Sequence, residues 1–158
     1  MALDIRQYLE DKPERGRVVG YHLKPAGQTL IAEVIQGDDR TDRLVEFSEA
    51  LGSFLAVPRE GITTSQIRNI FGEVKKIEME WERNPTSSWV RLQLLRPKLA
   101  YMAKRAAEGS RGEGSRGFAL KEVLSAAIVK VESKSENFQR LVNFFEAILA
   151  YHRAAGGR

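Results

Sequence analysis

The sequence predicts an all-α protein, a compact bundle of about five helices. Three observations carry that expectation. From about residue 61 onward, apolar side chains recur at the 3.6-residue spacing that builds one helix face. Capping residues, prolines and glycines stand where such helices should start and stop. No segment sustains the strict alternation of a half-buried strand. At 158 residues the chain suits one domain. Residues 1–41 read as an N-terminal extension, partly helical, and residues 42–158 as the bundle.

The extension carries the weakest signals. Residues 11–27 are rich in Gly, Pro and charge and read as loop. In "QTLIAEVIQ", residues 28–36, Leu30, Ile31, Val34 and Ile35 stand at helical spacing over a short span. "DRLVEFSEALGSFLA", residues 42–56, reads as an amphipathic helix, and Asp38, Asp39 and Asp42 read as caps at its start.

"GITTSQIRNIF", residues 61–71, opens the best-specified helix. Thr63 at N-cap and Gln66 three residues later form the T-x-x-Q capping box, in which side chain and backbone satisfy each other's orphan groups. Ile62 and Ile67 stand at the positions of a hydrophobic staple. Ile67, Ile70, Phe71, Val74, Ile77 and Trp81 then share one face, and Asn84-Pro85 ends the helix. A helix from about Ser87 to Ala107 follows, with a stripe of Leu92, Leu95, Leu99, Met102 and Ala106. Pro97 inside it predicts a kink, or a restart near Arg96.

The tandem repeat "EGSRGEGSRG", residues 108–117, reads as a flexible loop too polar and glycine-rich to pack. A helix over about 118–132 carries Leu120, Val123, Leu124, Ala127, Ile128 and Val131. Ser133 and Glu136 offer a second capping box. The last helix sets Phe138, Leu141, Val142, Phe145, Ile148, Leu149 and His152 on one face before Gly156-Gly157 stops it.

The residues of catalysis are scarce. With no cysteine, disulfides, thiolate metal sites and Cys nucleophiles are excluded. His22 and His152 lie far apart, without partners at metal-ligand spacing, and His152 reads as a packing residue. No serine stands in a G-x-S-x-G context, and the glycine-rich repeat lacks the order of a P-loop. Asp38, Asp39 and Asp42 fit no EF-hand spacing. The expectation is a non-enzyme with no catalytic residues, no metal and no cofactor. The N-terminus is charged, without an apolar signal core, and no run approaches the ~18 apolar residues of a membrane span. A soluble, cytoplasmic protein with no membrane partner is expected.

Charge gives the positive clue. Residues 1–60 hold eight Lys+Arg against eleven Asp+Glu, a net −3, and include all five aspartates; the remainder holds 17 against ten, a net +7. Such asymmetry suits a basic body meeting a polyanion. At roughly 100° per residue, Arg68, Gly72, Lys75, Lys76 and Arg83 form a basic flank beside the core face of the 63–84 helix. On the next helix Arg91, Lys98 and Arg105 are spaced i, i+7, i+14, a single ridge flanked by Arg96 and Lys104. Such a ridge can neutralise successive phosphates without reading bases. Its bland counterpart is a solvated helix face. Aromatics among these cations are few, Tyr101 being the best placed, so base stacking of the OB-fold or RRM kind is not indicated.

Three stretches in order, "ITTSQIRNIF" (62–71), "LQLLRPKLAYMAKR" (92–105) and "NFFEAILAYHR" (143–153), resemble the small subunit of type III-A CRISPR interference complexes, the Csm complex. The resemblance covers about residues 42–155 and leaves out the first forty residues and the glycine-rich repeat. It implies a non-catalytic helical bundle that stacks with neighbouring copies beside the crRNA-bearing backbone subunits and the large subunit. It also implies a place on the channel of the guide–target duplex, where basic side chains touch the target single-stranded RNA along its backbone. The matching basic positions are Arg68 in "TTSQIR" and Arg96, Lys98 and Arg105 in "LRPKLAYMAKR"; Lys75, Arg91 and Lys104 come from helical spacing alone. Two other readings stay open: the small subunit of the related type III-B complex, and a helical scaffold that binds only protein. A metal-dependent nuclease lacks a carboxylate cluster in the basic part of the chain.

Overall fold

Residues 9–23, read from the sequence as largely loop, instead form an antiparallel hairpin. In the computed structural model, which describes residues 3–108 and 112–158, a 3-10 turn (Ile5–Gln7) leads into β1 (Leu9–Glu14) and β2 (Arg17–Leu23). The two-residue connection places both Arg15 and Gly16 at positive φ, 53° and 76°, the geometry that matches the twist of paired strands. The register slips between Lys12 and Pro13, where proline has no N–H to give to a ladder. Leu9 and Tyr21 anchor the hairpin in the core, and Tyr21 meets Phe54 edge-on with ring centroids 5.7 Å apart.

Helix α1 (Pro25–Gln36) starts with proline in its first turn, where a missing N–H costs nothing. Gly27 is required there: a Cβ would stand 2.5 Å from the Tyr8 carbonyl oxygen. Leu30, Ile31, Val34 and Ile35 are buried in one continuous core with the later helices. Residues 9–36 are therefore a packed part of the bundle as well as its N-terminal segment.

Among the described residues five further helices follow: α2 (Thr41–Leu55), α3 (Thr64–Glu80), α4 (Pro85–Ala106), α5 (Gly117–Val131) and α6 (Ser135–Ala154). The helical bundle is as expected; the small two-stranded sheet is an addition to it. Helix α2 packs on α6, α4 lies between α3 and α5, and α1 leans on α5 and α6. Aromatic pairs tie the layers together. Phe47 meets Phe144 at 5.4 Å and Phe71 meets Phe145 at 5.3 Å. Trp81 stacks on Phe138 at 4.2 Å, and its indole N–H donates to Ser135 Oγ at 2.9 Å.

The capping box of α3 is complete. Gln66 N–H donates to Thr63 Oγ1 at 3.2 Å, and Thr63 N–H donates to Gln66 Oε1 at 2.8 Å. Ile62 and Ile67 are both buried. Two other local expectations need correction and a third is narrowed. The aspartates do not cap α2: its N-cap is Arg40, without a side-chain bond, while Asp38 pairs with Arg140 at 3.1 Å. Asp42 sits in the first turn, where the helix dipole favours negative charge. Ser133 does not cap α6 either. Glu132 and Ser133 both take left-handed φ, 52° and 55°, to reverse the chain, so the helix begins one residue later than expected, at Ser135 after Lys134. Finally, α4 continues through Pro97 without a restart.

The glycine-rich repeat lies partly outside the described residues (109–111). Its remaining stretch packs, against expectation. Gly114 N–H donates to the Arg59 carbonyl at 2.8 Å and Arg116 N–H to the Glu60 carbonyl at 2.9 Å. The Arg116 guanidinium donates to the Phe54 carbonyl at 2.9 Å and lies 3.9 Å from the centre of its ring. Backbone bonding and cation–π contact thus hold a sequence with few apolar side chains of its own.

Candidate nucleic-acid interface

The connection of residues 81–84 folds α3 and α4 into an αα-hairpin. Between them runs a groove of about 520 Å3, lined by Gln66, Asn69, Ile70 and Glu73 from α3 and by Lys98, Tyr101, Met102 and Arg105 from α4. Each wall is a helical stripe at i, i+3, i+4, i+7. The start of α3 faces the end of α4, as an antiparallel pair requires. Ile70 is buried and Met102 half-buried, so the floor is apolar. Lys98 and Arg105 are exposed at the rim. Glu73 is compensated there: its carboxylate lies 3.7 Å from Lys98 Nζ and 3.8 Å from Lys76 Nζ.

The seven basic residues singled out by the sequence fall in three places. Lys98 and Arg105 line the groove, and Arg91 belongs to the same flank of α4 because the helix is unbroken from Pro85 to Ala106. Arg68 and Lys75 lie on the other flank of α3, away from α4. Lys75 is engaged there, 2.6 Å from Glu78 and 5.9 Å from the centre of the Phe71 ring. Its pKa is raised chiefly by the hydrogen bond to Glu78, with Glu146 of α6 adding to it. Arg96 and Lys104 are exposed beyond the groove. Lys104 borders a separate hollow with Arg17, Val18 and Phe118, on the hairpin side. The expectation that Arg96 and Lys104 flank a single ridge is therefore corrected. With α4 continuous through Pro97, two residues at about 100° each set Arg96 roughly 160° around the helix from Lys98.

Sequence reasoning did not place Gln66, Asn69 and Glu73 in a site. Their i, i+3, i+7 spacing was a visible signal, but the partner stripe on α4 became apparent only with the helix pairing. His152 is fully buried, as expected of a packing residue, and its Nε2 lies 2.8 Å from the Ile62 carbonyl oxygen. His22 is exposed on β2. Among the described residues, no group of three or more His, Cys, Asp or Glu side chains could hold a metal ion. Among them, too, no helix is long and apolar enough to cross a membrane.

The family model described as Csm2 Type III-A matches residues 38–158. The chain belongs to the Csm2 family. Csm2 proteins are the small subunits of type III-A CRISPR complexes, so this chain is a subunit of a multi-subunit Csm assembly. The match also separates type III-A from the related type III-B reading. It begins just before α2, so the hairpin and α1 lie outside it although they share the core. No curated protein and no solved structure gives a significant match.

Proposed function

We propose that this Csm2 chain is a non-catalytic subunit that lines the guide–target channel and holds target RNA along its phosphate backbone. The α3–α4 groove is the contact surface. The observation that carries this reading is the alignment of Arg91, Lys98 and Arg105 on one flank of an uninterrupted 22-residue helix. Successive cations there stand about 10 Å apart along the axis, and no sequence-reading element is needed for such contact. The crRNA-bearing backbone subunits, the large subunit and neighbouring copies are the partners this role requires.

The test is fluorescence anisotropy with unrelated single-stranded RNAs at several salt concentrations, wild type beside a Lys98→Glu/Arg105→Glu double variant. Similar affinity across sequences and a steep salt slope that flattens by about 1.4 for two lost phosphate contacts are expected. Binding that ignores the substitution would sink the reading.

A second reading has its own observation. Val90, Leu94 and Tyr101 are 51, 57 and 66 % exposed and fall on one stripe of α4 opposite its core face. A contiguous exposed apolar stripe marks protein contact, as a scaffold would use. Leu94→Lys would then abolish assembly with the other subunits while leaving RNA affinity of the free chain intact.

A further inference from the structure

We propose that the α3–α4 groove receives one unstacked base of single-stranded RNA against the Tyr101 ring, while Lys98 and Arg105 hold phosphates on either side. This rests on the RNA reading above and adds a ligand subsite to it. A row of cations alone explains backbone contact; it does not explain a groove with an apolar floor and an aromatic wall. Tyr101 lies between Lys98 and Arg105 in the chain, three residues from one and four from the other, and all three line the same groove. The ring is largely exposed. The volume of about 520 Å3 falls in the ~300–1,000 Å3 range of sites that enclose small molecules.

The other groove residues suit a base and discriminate little between bases. Ile70 and Met102 offer apolar contact to a ring face. Gln66 Oε1 is taken by the Thr63 N–H, so its NH2 group is left to donate. Asn69 offers both a donor and an acceptor. Glu73, balanced by Lys76 and Lys98, offers an acceptor. Stacking is tolerant of sequence because every base has a π-face. The lone aromatic that gave no basis for an OB-fold or RRM platform suffices for one base in one groove.

The experiment uses the full chain and a labelled 12-nucleotide oligouridylate, beside the same ribose-phosphate backbone made abasic. Tyr101 is exposed, so its substitution does not disturb the core. The expected result is that Tyr101→Ala lowers affinity for the intact oligonucleotide about 5- to 150-fold, with an unchanged salt slope. It should leave affinity for the abasic strand unaltered, and Tyr101→Phe should retain tight binding. If Tyr101→Ala binds as wild type while Lys98→Glu/Arg105→Glu loses affinity and salt slope, the base subsite is overturned and the backbone reading stands. If the wild type does not distinguish intact from abasic RNA, the subsite is likewise overturned. Absence of binding, or binding indifferent to all these changes, overturns both.

Discussion

Gly52 of α2 lies against the backbone of His152 on α6: a Cβ at Gly52 would stand 2.8 Å from the His152 amide nitrogen and 2.9 Å from the Ile148 carbonyl oxygen. Both are helix backbone atoms, and neither can swing aside. Gly52→Ala is therefore expected to force α2 and α6 apart and destabilise the fold by about 1–3 kcal/mol. In thermal unfolding each kcal/mol should lower Tm by about 2–4 °C. Gly72→Ala supplies the contrast, because nothing lies within 4 Å of a Cβ there; the same substitution should be neutral or stabilising in the middle of α3. Equal Tm changes for the two variants would refute the close-approach argument.

Tyr21 gives the fold a dependence on alkaline pH. Its pKa is raised above 10.0, first by burial and next by the Asp11 carboxylate. Because the folded state holds this proton more tightly than the unfolded chain, the contribution is fully present below about pH 10. It is lost as pH rises through the higher folded pKa. Tyr21→Phe keeps the ring against Phe54 and removes the ionisable group. Denaturant midpoints measured from neutral pH to beyond pH 10 should converge on a smaller alkaline loss in Tyr21→Phe. Parallel curves would show that other groups govern the alkaline limb.

Pro97 is exposed in the interior of α4, where it supplies no N–H for the Gln93 carbonyl. Proline in a helix interior is about 3 kcal/mol less favourable than alanine, so Pro97→Ala is expected to raise stability by about 1–3 kcal/mol in urea unfolding. A loss of stability would mean that a local distortion at Pro97 is built into the packing of α3 against α4.

How much of this was legible in the sequence follows from how local each determinant is. The Thr63–Gln66 box was readable because both partners lie within one turn. The stripes of α3, α4, α5 and α6 were readable because burial repeats at one period over many residues. The hairpin was not. Of its hydrophobic side chains only Leu9 and Tyr21 are fully buried, so no alternation develops, and its turn uses Arg15-Gly16 in place of the usual Asn-Gly or Asp-Gly. Ser133 misled because the reversal between α5 and α6 takes up two residues in left-handed conformation before the helix can start. In the candidate site, both walls of the groove were present as spacings, 66-69-70-73 and 98-101-102-105. Their meeting depends on the pairing of two helices, which no single stripe encodes.

The separation of the seven basic residues makes the sharpest prediction about function. If RNA lies along the groove flank, charge reversal there should matter far more than the same charge change elsewhere. Lys98→Glu/Arg105→Glu should weaken RNA binding and flatten its salt dependence. Arg96→Glu/Lys104→Glu alters net charge equally but on the far side of α4, so it should leave the slope nearly unchanged. Arg68→Glu, on the other flank of α3, should also have little effect on the free chain. Screening makes the comparison clean, since exposed charges beyond ~8 Å interact weakly at physiological ionic strength. Equal losses in both double variants would mean that the chain binds RNA through its overall positive field. A selective loss in Arg96→Glu/Lys104→Glu would move the RNA path to the hairpin side of α4, beside Arg17 and Val18.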